Sequence, residues 1–202
     1  MDERERILQM KQFDNDRNKA GYLAGVDEAG RGPLAGPVFA AAVILPNDVI
    51  IEGINDSKKL SEKKREKLYD EICEKAVAYC VSSVDEDVID DINILQATFL
   101  AMRDAVSGLN IKPDYVLVDG NKSPGIDCET VVKGDSKSMS IAAASILAKV
   151  SRDRYIVEMS KQYPNYGFEK HKGYGTKAHY EAIAKYGICP IHRKTFLKKV
   201  LD

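Results

Sequence analysis

Apolar positions along this chain fall either into short continuous runs or into stripes of helical spacing, and the two predict different elements. Tyr22–Asp27 is a short apolar run that predicts a strand. Val38–Leu45, apolar throughout and ended by Pro46-Asn47-Asp48, predicts a second. Further strands are expected at Tyr79–Val84, at Tyr115–Asp119 after Pro113, and at Thr130–Lys133. Behind Ser61, an N-cap residue, Leu68, Ile72 and Ala76 with Tyr69, Cys73 and Val77 make one helical stripe. Asp85–Leu109 predicts a helix with Ile92, Leu95, Phe99, Met102 and Val106 facing inward and Gly108 near its stop. Ser138–Lys161 predicts a long helix whose first half, Ile141–Ala148, is apolar almost all round, so it belongs inside against a sheet. A short helix should run from a Thr176 cap to Gly187, and the charged residues 1–19 predict a frayed one. Strands first and helices later fit an α/β fold, a mixed sheet layered with helices.

Composition narrows the class. The 202 residues, 44% hydrophobic and 30% charged, suit one globular domain over 1–202 and exclude disorder. No repeat or low-complexity linker divides them. No apolar run approaches the ~18 residues of a membrane span. The N-terminus lacks the basic-then-apolar order of a secretion signal, so a cytoplasmic protein is expected. Cys73, Cys80, Cys128 and Cys189 are scattered and read as reduced packing residues, and the three histidines lack zinc-ligand spacing. The net charge of −1 hides an asymmetry. Residues 149–202 hold twelve Lys/Arg against five Asp/Glu, a balance of +7 that leaves −8 for residues 1–148. Solvated helix faces would explain that, but so would phosphates held beside a carboxylate cluster.

The candidate chemistry begins at Gly25-Val-Asp27-Glu28-Ala-Gly30-Arg31-Gly32-Pro-Leu-Ala-Gly36-Pro. An acid leaving a buried strand must be paired, protonated or bound to a cation. Successive strand side chains point to opposite faces, so Asp27 and Glu28 meet at one cation only if the chain bends between them or if Glu28 contributes from the bend itself. Gly30 and Gly32 permit a bend and leave backbone N–H groups open to a phosphate. A tight turn with a surface pair among Asp27, Glu28 and Arg31 is the plainer reading. Gly30-x-Gly32-x-x-Ala35 formally matches a dinucleotide-binding turn, but the prolines and paired acids argue against one. Asp119, ending Val116-Leu-Val-Asp119-Gly120, is either a rigidly held ligand or a turn former. Asp135, ahead of the long helix, is on spacing alone a helix cap, with Asp127 and Glu129 as competing acids.

Seven blocks resemble, in order, ribonuclease HII: Asp27–Pro37, Asp56-Ser-Lys-Lys-Leu60, Asn93-Ile-Leu95, Leu117–Gly120, Lys133-Gly-Asp135, Ala142–Val150 and Gly167-Phe-x-x-His-Lys-Gly-Tyr-Gly-Thr176. Together they span Gly21 to Phe196. The resemblance implies a ribonuclease H-like core over 20–160 and a small helical substrate-binding part over 161–202. It implies that Asp27, Glu28, Asp119 and Asp135 are catalytic and bind two Mg²⁺ or Mn²⁺ ions. It further implies that Gly30, Arg31 and Gly32 recognise a ribonucleotide 2′-OH and that Tyr174 stacks at an RNA–DNA junction. Lys58 and Lys59, with Lys149, Lys170 and Lys172, are candidate phosphate contacts; Lys149 could instead pair with a carboxylate, and His171 is either a phosphate donor or a loop hydrogen-bonder. Arg31 is Lys in the sister type, ribonuclease HIII, whose extra N-terminal domain the first twenty residues could not supply. The implied activity is cleavage of RNA in RNA/DNA hybrids and incision 5′ of ribonucleotides embedded in DNA, as in ribonucleotide excision repair. A monomer is expected, contact with a sliding clamp is undetermined, and the alternatives are a non-cleaving hybrid-binding module or another metal nuclease.

Overall fold

In the computed structural model, which describes residues 2–18 and 21–198, the apolar runs form one five-stranded sheet. Its strands are β1 (Leu23–Ala29), β2 (Val38–Ile44), β3 (Ala78–Val84), β4 (Tyr115–Asp119) and β5 (Glu129–Val131). They lie in the order β3-β2-β1-β4-β5, with β1, β2 and β3 antiparallel neighbours and β4 and β5 parallel to β1. The sheet is therefore mixed, as expected.

Among the described residues, six α-helices accompany it: α1 (Glu3–Arg17), α2 (Glu62–Lys75), α3 (Glu86–Ser107), α4 (Met139–Gln162), α5 (Phe168–His171) and α6 (Lys177–Tyr186). The alternation of β1 and β2 assigns the faces. Ala24, Val26, Ala40 and Ala42 pack with Ile89, Ala101 and Met102 of α3, whereas Ala41 and Val43 pack with Ile146 and Leu147 of α4. Residues 139–148 of α4 are all buried, which bears out the internal helix. A Cβ on Gly25 would collide with the Ser140 backbone, so β1 and α4 touch main chain to main chain. Beyond α4, Phe168, Ile183, Ile191 and Leu197 gather with Ile156, Leu34 and Ala35 into a separate apolar cluster. Among the described residues, no helix is long and apolar enough to cross a membrane.

Several expectations need correction. α1 is docked, not frayed: Ile7 and Met10 enter the core, and Asp14 accepts bonds of 2.9 Å from both the amide and the hydroxyl of Ser140. Its charged majority masks that narrow apolar face. β1 continues through Ala29, so the bend falls at Gly30 and not between Asp27 and Glu28. β5 lies earlier than expected, because Lys133 adopts a left-handed conformation with φ 56°. α2 stops at Lys75, leaving Ala76 and Val77 to lead into β3. The predicted stripe on α3 is broken at Asn93, whose φ of 68° and ψ of 162° kink the helix. The Asn93 side chain then caps the second segment, accepting from the Leu95 and Gln96 amides. That kink brings Leu95 and Phe99 beside Glu28.

Candidate active site

Because β1 and β4 are parallel, both strands end at one edge of the sheet, with Val26 opposite Val118. Asp27 and Asp119 follow those residues directly. Asp27 is buried, and its Oδ1 accepts the Glu28 amide at 2.7 Å. Ser145 of α4 lies near Asp27, where its hydroxyl favours the charged carboxylate, and is 3.0 Å, hydroxyl to hydroxyl, from Ser57. Burial holds the Asp27 carboxyl well above the usual range, and the charges of Glu28 and Asp119 push the same way. Asp119 accepts the Gly134 amide at 2.6 Å; a Cβ on Gly134 would stand 2.6 Å from the tip of Ile141 and 3.1 Å from that carboxylate, so a side chain there would displace its neighbours.

Glu28 projects toward α3. Its carboxyl is raised by burial, opposed by Arg31 at 3.4 Å and raised further by Asp119. Together with Leu95, Phe99 and Met102, Glu28, Arg31 and Asp119 line a cleft of about 270 Å³. Asp135 sits in a 3-10 turn, Gly134–Ser136, raised by burial, Asp56 and Asp119. It is not the helix cap that spacing suggested, because Ser138 accepts the Ile141 amide and fills that role. The competing acids lie elsewhere: Asp127 and Glu129 line a larger cavity, about 730 Å³, at the Tyr115 end of β4. Glu129 is engaged there by Arg17 and the Tyr115 hydroxyl. Size therefore does not mark the candidate site; the strand-end acids Asp27, Glu28 and Asp119, whose charges act on one another, do.

Lys58 stands among these acids. Although burial opposes it, the charges of Asp27, Asp56, Asp135 and Glu28 hold its ammonium above the ordinary range. Asp56, unanticipated, caps the short turn Ser57–Lys59. Lys59 is exposed, 4.0 Å from Asp56, and Lys170 is exposed. Lys149 pairs with Asp153 at 2.7 Å, and Lys172 donates to the Glu169 carbonyl, so both ammonium groups are engaged. The pairing considered for Lys149 exists, but its partner lies outside the acid set. His171 is a loop hydrogen-bonder, meeting the Tyr166 carbonyl and the Gly173 amide.

The Gly30–Gly32 loop is held from beneath by two arginines that the sequence did not single out. Arg193, fully buried, donates to the carbonyls of Gly30, Arg31, Pro33 and Gly36. Arg152, also fully buried, donates to those of Ala35 and Lys172. A Cβ on Gly30, at φ 95°, would collide with the Arg152 side chain. With the carbonyls turned inward, the Arg31 and Gly32 amides have no hydrogen-bond partner among the described residues. Tyr174 is 44% exposed, and a Cβ on Gly32 would lie 3.8 Å from its ring. The loop and the tyrosine thus form one surface beside the acids.

Glu86, the first residue of α3, is buried near Arg193, and one of its oxygens has no partner. Burial pushes its carboxyl up to about 7, against the pull of Arg193. A raised carboxyl contributes stability that is complete below its unfolded range near 4.5 and is lost as pH rises through 7. The melting temperature of the wild type should therefore fall more between about pH 5.5 and about pH 8 than that of Glu86→Gln. Identical slopes in a thermal-melt series would refute this assignment.

The ribonuclease HII family profile matches residues 24–199. The ribonuclease HII of Caldicellulosiruptor bescii is 64% identical over 183 residues, covering 90% of this chain and 89% of that protein. The ribonuclease H2 structure from Pyrococcus horikoshii superposes with a TM-score of 0.71 at 31% identity, over 86% of this chain and 93% of that one. The ribonuclease HII of Archaeoglobus fulgidus, solved in complex with PCNA, gives 0.67 at 27% identity, over 85% and 93%. Acids at the ends of two parallel strands, a glycine loop beside them and these likenesses over nearly the whole length agree: the chain belongs to the ribonuclease HII family.

Proposed function

We propose that this ribonuclease H-type endonuclease, whose family acts on RNA/DNA hybrids, also incises on the 5′ side of single ribonucleotides embedded in duplex DNA, leaving 3′-hydroxyl and 5′-phosphate ends. The observation that carries this reading is that the Tyr174 ring stands across from the open side of Gly32, 3.8 Å from where a Cβ would be, beside the acid cleft. The 2′-OH is what distinguishes the ribonucleotide sugar, and the unpartnered amides of Arg31 and Gly32 can meet it without an intervening side chain. The Tyr174 face would stack on the neighbouring deoxynucleotide. Lys58, set among the acids, is assigned the scissile phosphate.

Asp27, Glu28, Asp119 and Asp135 offer only hard carboxylate oxygens, the donors that suit Mg²⁺ or Mn²⁺, and would hold two such ions. Bound there, the ions supply water activation and charge stabilisation at the leaving 3′-oxygen. Among the described residues no three of these acids already converge on a single point, so binding must draw them closer. Meanwhile the Gly134 amide fixes Asp119, and the Glu28 amide fixes Asp27.

The test is to map the cut on a duplex carrying one ribonucleotide, beside an all-RNA/DNA hybrid. A cut on the 3′ side, or hybrid cleavage alone, overturns the reading. Tyr174→Ala should slow cleavage at the single ribonucleotide roughly tenfold, in line with ~1–3 kcal/mol for one stacked base, and slow hybrid cleavage less. Equal losses on both substrates would remove Tyr174 from the junction.

A further inference from the structure

All three histidines of the chain lie beneath the Gly173–Tyr174 turn, and two of them are fully buried in a chain of hydrogen bonds. His179 Nδ1 lies 2.9 Å from the Tyr174 carbonyl oxygen. His179 Nε2 lies 3.0 Å from His192 Nε2, and the Cys189 amide meets His192 Nδ1 at 2.9 Å. Hydrogen-bond logic fixes the protons. A carbonyl only accepts, so His179 Nδ1 must carry hydrogen, and in the neutral ring its Nε2 must accept. His192 Nε2 is then the donor, which leaves His192 Nδ1 to accept the Cys189 N–H that points at it. Both rings are neutral, because burial pushes His179 down to about 4 and lowers His192 as well. The bonds run in one direction from the Cys189 amide through two imidazoles to the Tyr174 carbonyl; His192 Nδ1 also lies 3.1 Å from the Cys189 sulfur, whose thiol can donate to it, and 3.2 Å from the Cys189 carbonyl oxygen, to which an unprotonated Nδ1 does not bond.

We propose that His192 and His179 are positioning residues that lock the backbone of Tyr174 against the Gly32 loop and so set the preference for an RNA–DNA junction. The inference rests on the reading of Tyr174 given above and adds the device that holds it. The same segment binds the other side of the surface: Ala35 bridges to His192, and the Leu34 amide donates to the Gly173 carbonyl. Recognition of the sugar and stacking on its neighbour thereby share one rigid support. Nothing in this chain of bonds touches the acids, so its loss should change selectivity more than turnover.

Two variants of similar size separate the relay from simple packing. In His192→Gln the side-chain amide reaches the place of Nε2 and can still donate to His179. In His192→Asn it reaches only the place of Nδ1, serving Cys189 but not His179. The readout is the ratio of cleavage at a single embedded ribonucleotide to cleavage of a hybrid. We expect His192→Asn to lower that ratio about fivefold, the equivalent of one lost hydrogen bond, and His192→Gln to keep it within about twofold. An unchanged ratio in His192→Asn, or equal losses in both variants, overturns the proposal. Imidazole ¹⁵N spectra of the wild-type protein at neutral pH decide the point even if a variant does not fold. Protons on His179 Nδ1 and His192 Nε2 support it, and any other pair of tautomers refutes it. Tyr174→Ala, measured alongside, separates the two layers. No change in its ratio removes the tyrosine and this proposal together, whereas a changed ratio with an unaffected His192→Asn removes the relay alone.

Discussion

Asp27→Asn is expected to reduce cleavage by about three orders of magnitude or more while raising the melting temperature of the metal-free protein by a few degrees. The two effects have one cause. Asp27 is buried, and burial together with the charges of Glu28 and Asp119 raises its carboxyl well above the ordinary range. Such a group stabilises the fold fully below its unfolded range and loses that contribution as pH climbs through its folded value. As pH rises toward neutral this upward shift therefore weakens the metal-free protein, and a neutral amide carries no such shift. Asn keeps an oxygen for the Glu28 amide, so the local backbone has no reason to shift. What disappears is a charge that two divalent ions would require. Millimolar Mn²⁺ should raise the wild-type melting temperature and raise that of Asp27→Asn by much less. A variant that cleaves normally, or a wild type whose melting point ignores Mn²⁺, would contradict the assignment of these acids to a shared metal site.

The sequence announced the elements with a strong period and missed those decided by tertiary contact. Val38–Ile44 and the buried half of α4 were legible because each is apolar without interruption. The docking of α1 was not, since two buried apolar side chains among many charges leave almost no periodic signal. The α3 kink was hidden because Asn93 is polar on an exposed face, where a helix tolerates it and a cap uses it equally well. At the site, strand-end placement made Asp27 and Asp119 visible from the residues alone. Asp135 needed the family resemblance, and the structure adds that Ser138 takes the capping role that would have explained it away. Arg152 and Arg193 looked like two more cations in a basic C-terminal region. Their burial depends on carbonyls contributed by residues 30–36, a separation that no local pattern encodes.

Arg193→Met is expected to lower the melting temperature by roughly 10 °C, about 3–5 kcal/mol, and to impair single-ribonucleotide cleavage more than hybrid cleavage. Arg193 is fully buried, and its guanidinium meets four carbonyls of one loop, those of Gly30, Arg31, Pro33 and Gly36. Methionine fills the volume but leaves those acceptors without a donor, and each buried orphan costs about 1–3 kcal/mol. Without that anchor the carbonyls have no reason to face inward, and the Arg31 and Gly32 amides are no longer presented toward substrate. Arg193→Lys should recover only part of the loss, because one ammonium with three donors cannot span a planar array of four acceptors. Arg193 also opposes the upward push that burial exerts on Glu86. Its removal leaves that carboxylate more costly at neutral pH, so Arg193→Met combined with Glu86→Gln should be less destabilised than the two single changes predict when added. Additive losses in the thermal melts would show that the arginine and the glutamate act independently. A full-strength preference for the single ribonucleotide in Arg193→Met would show that the loop holds its shape without the guanidinium.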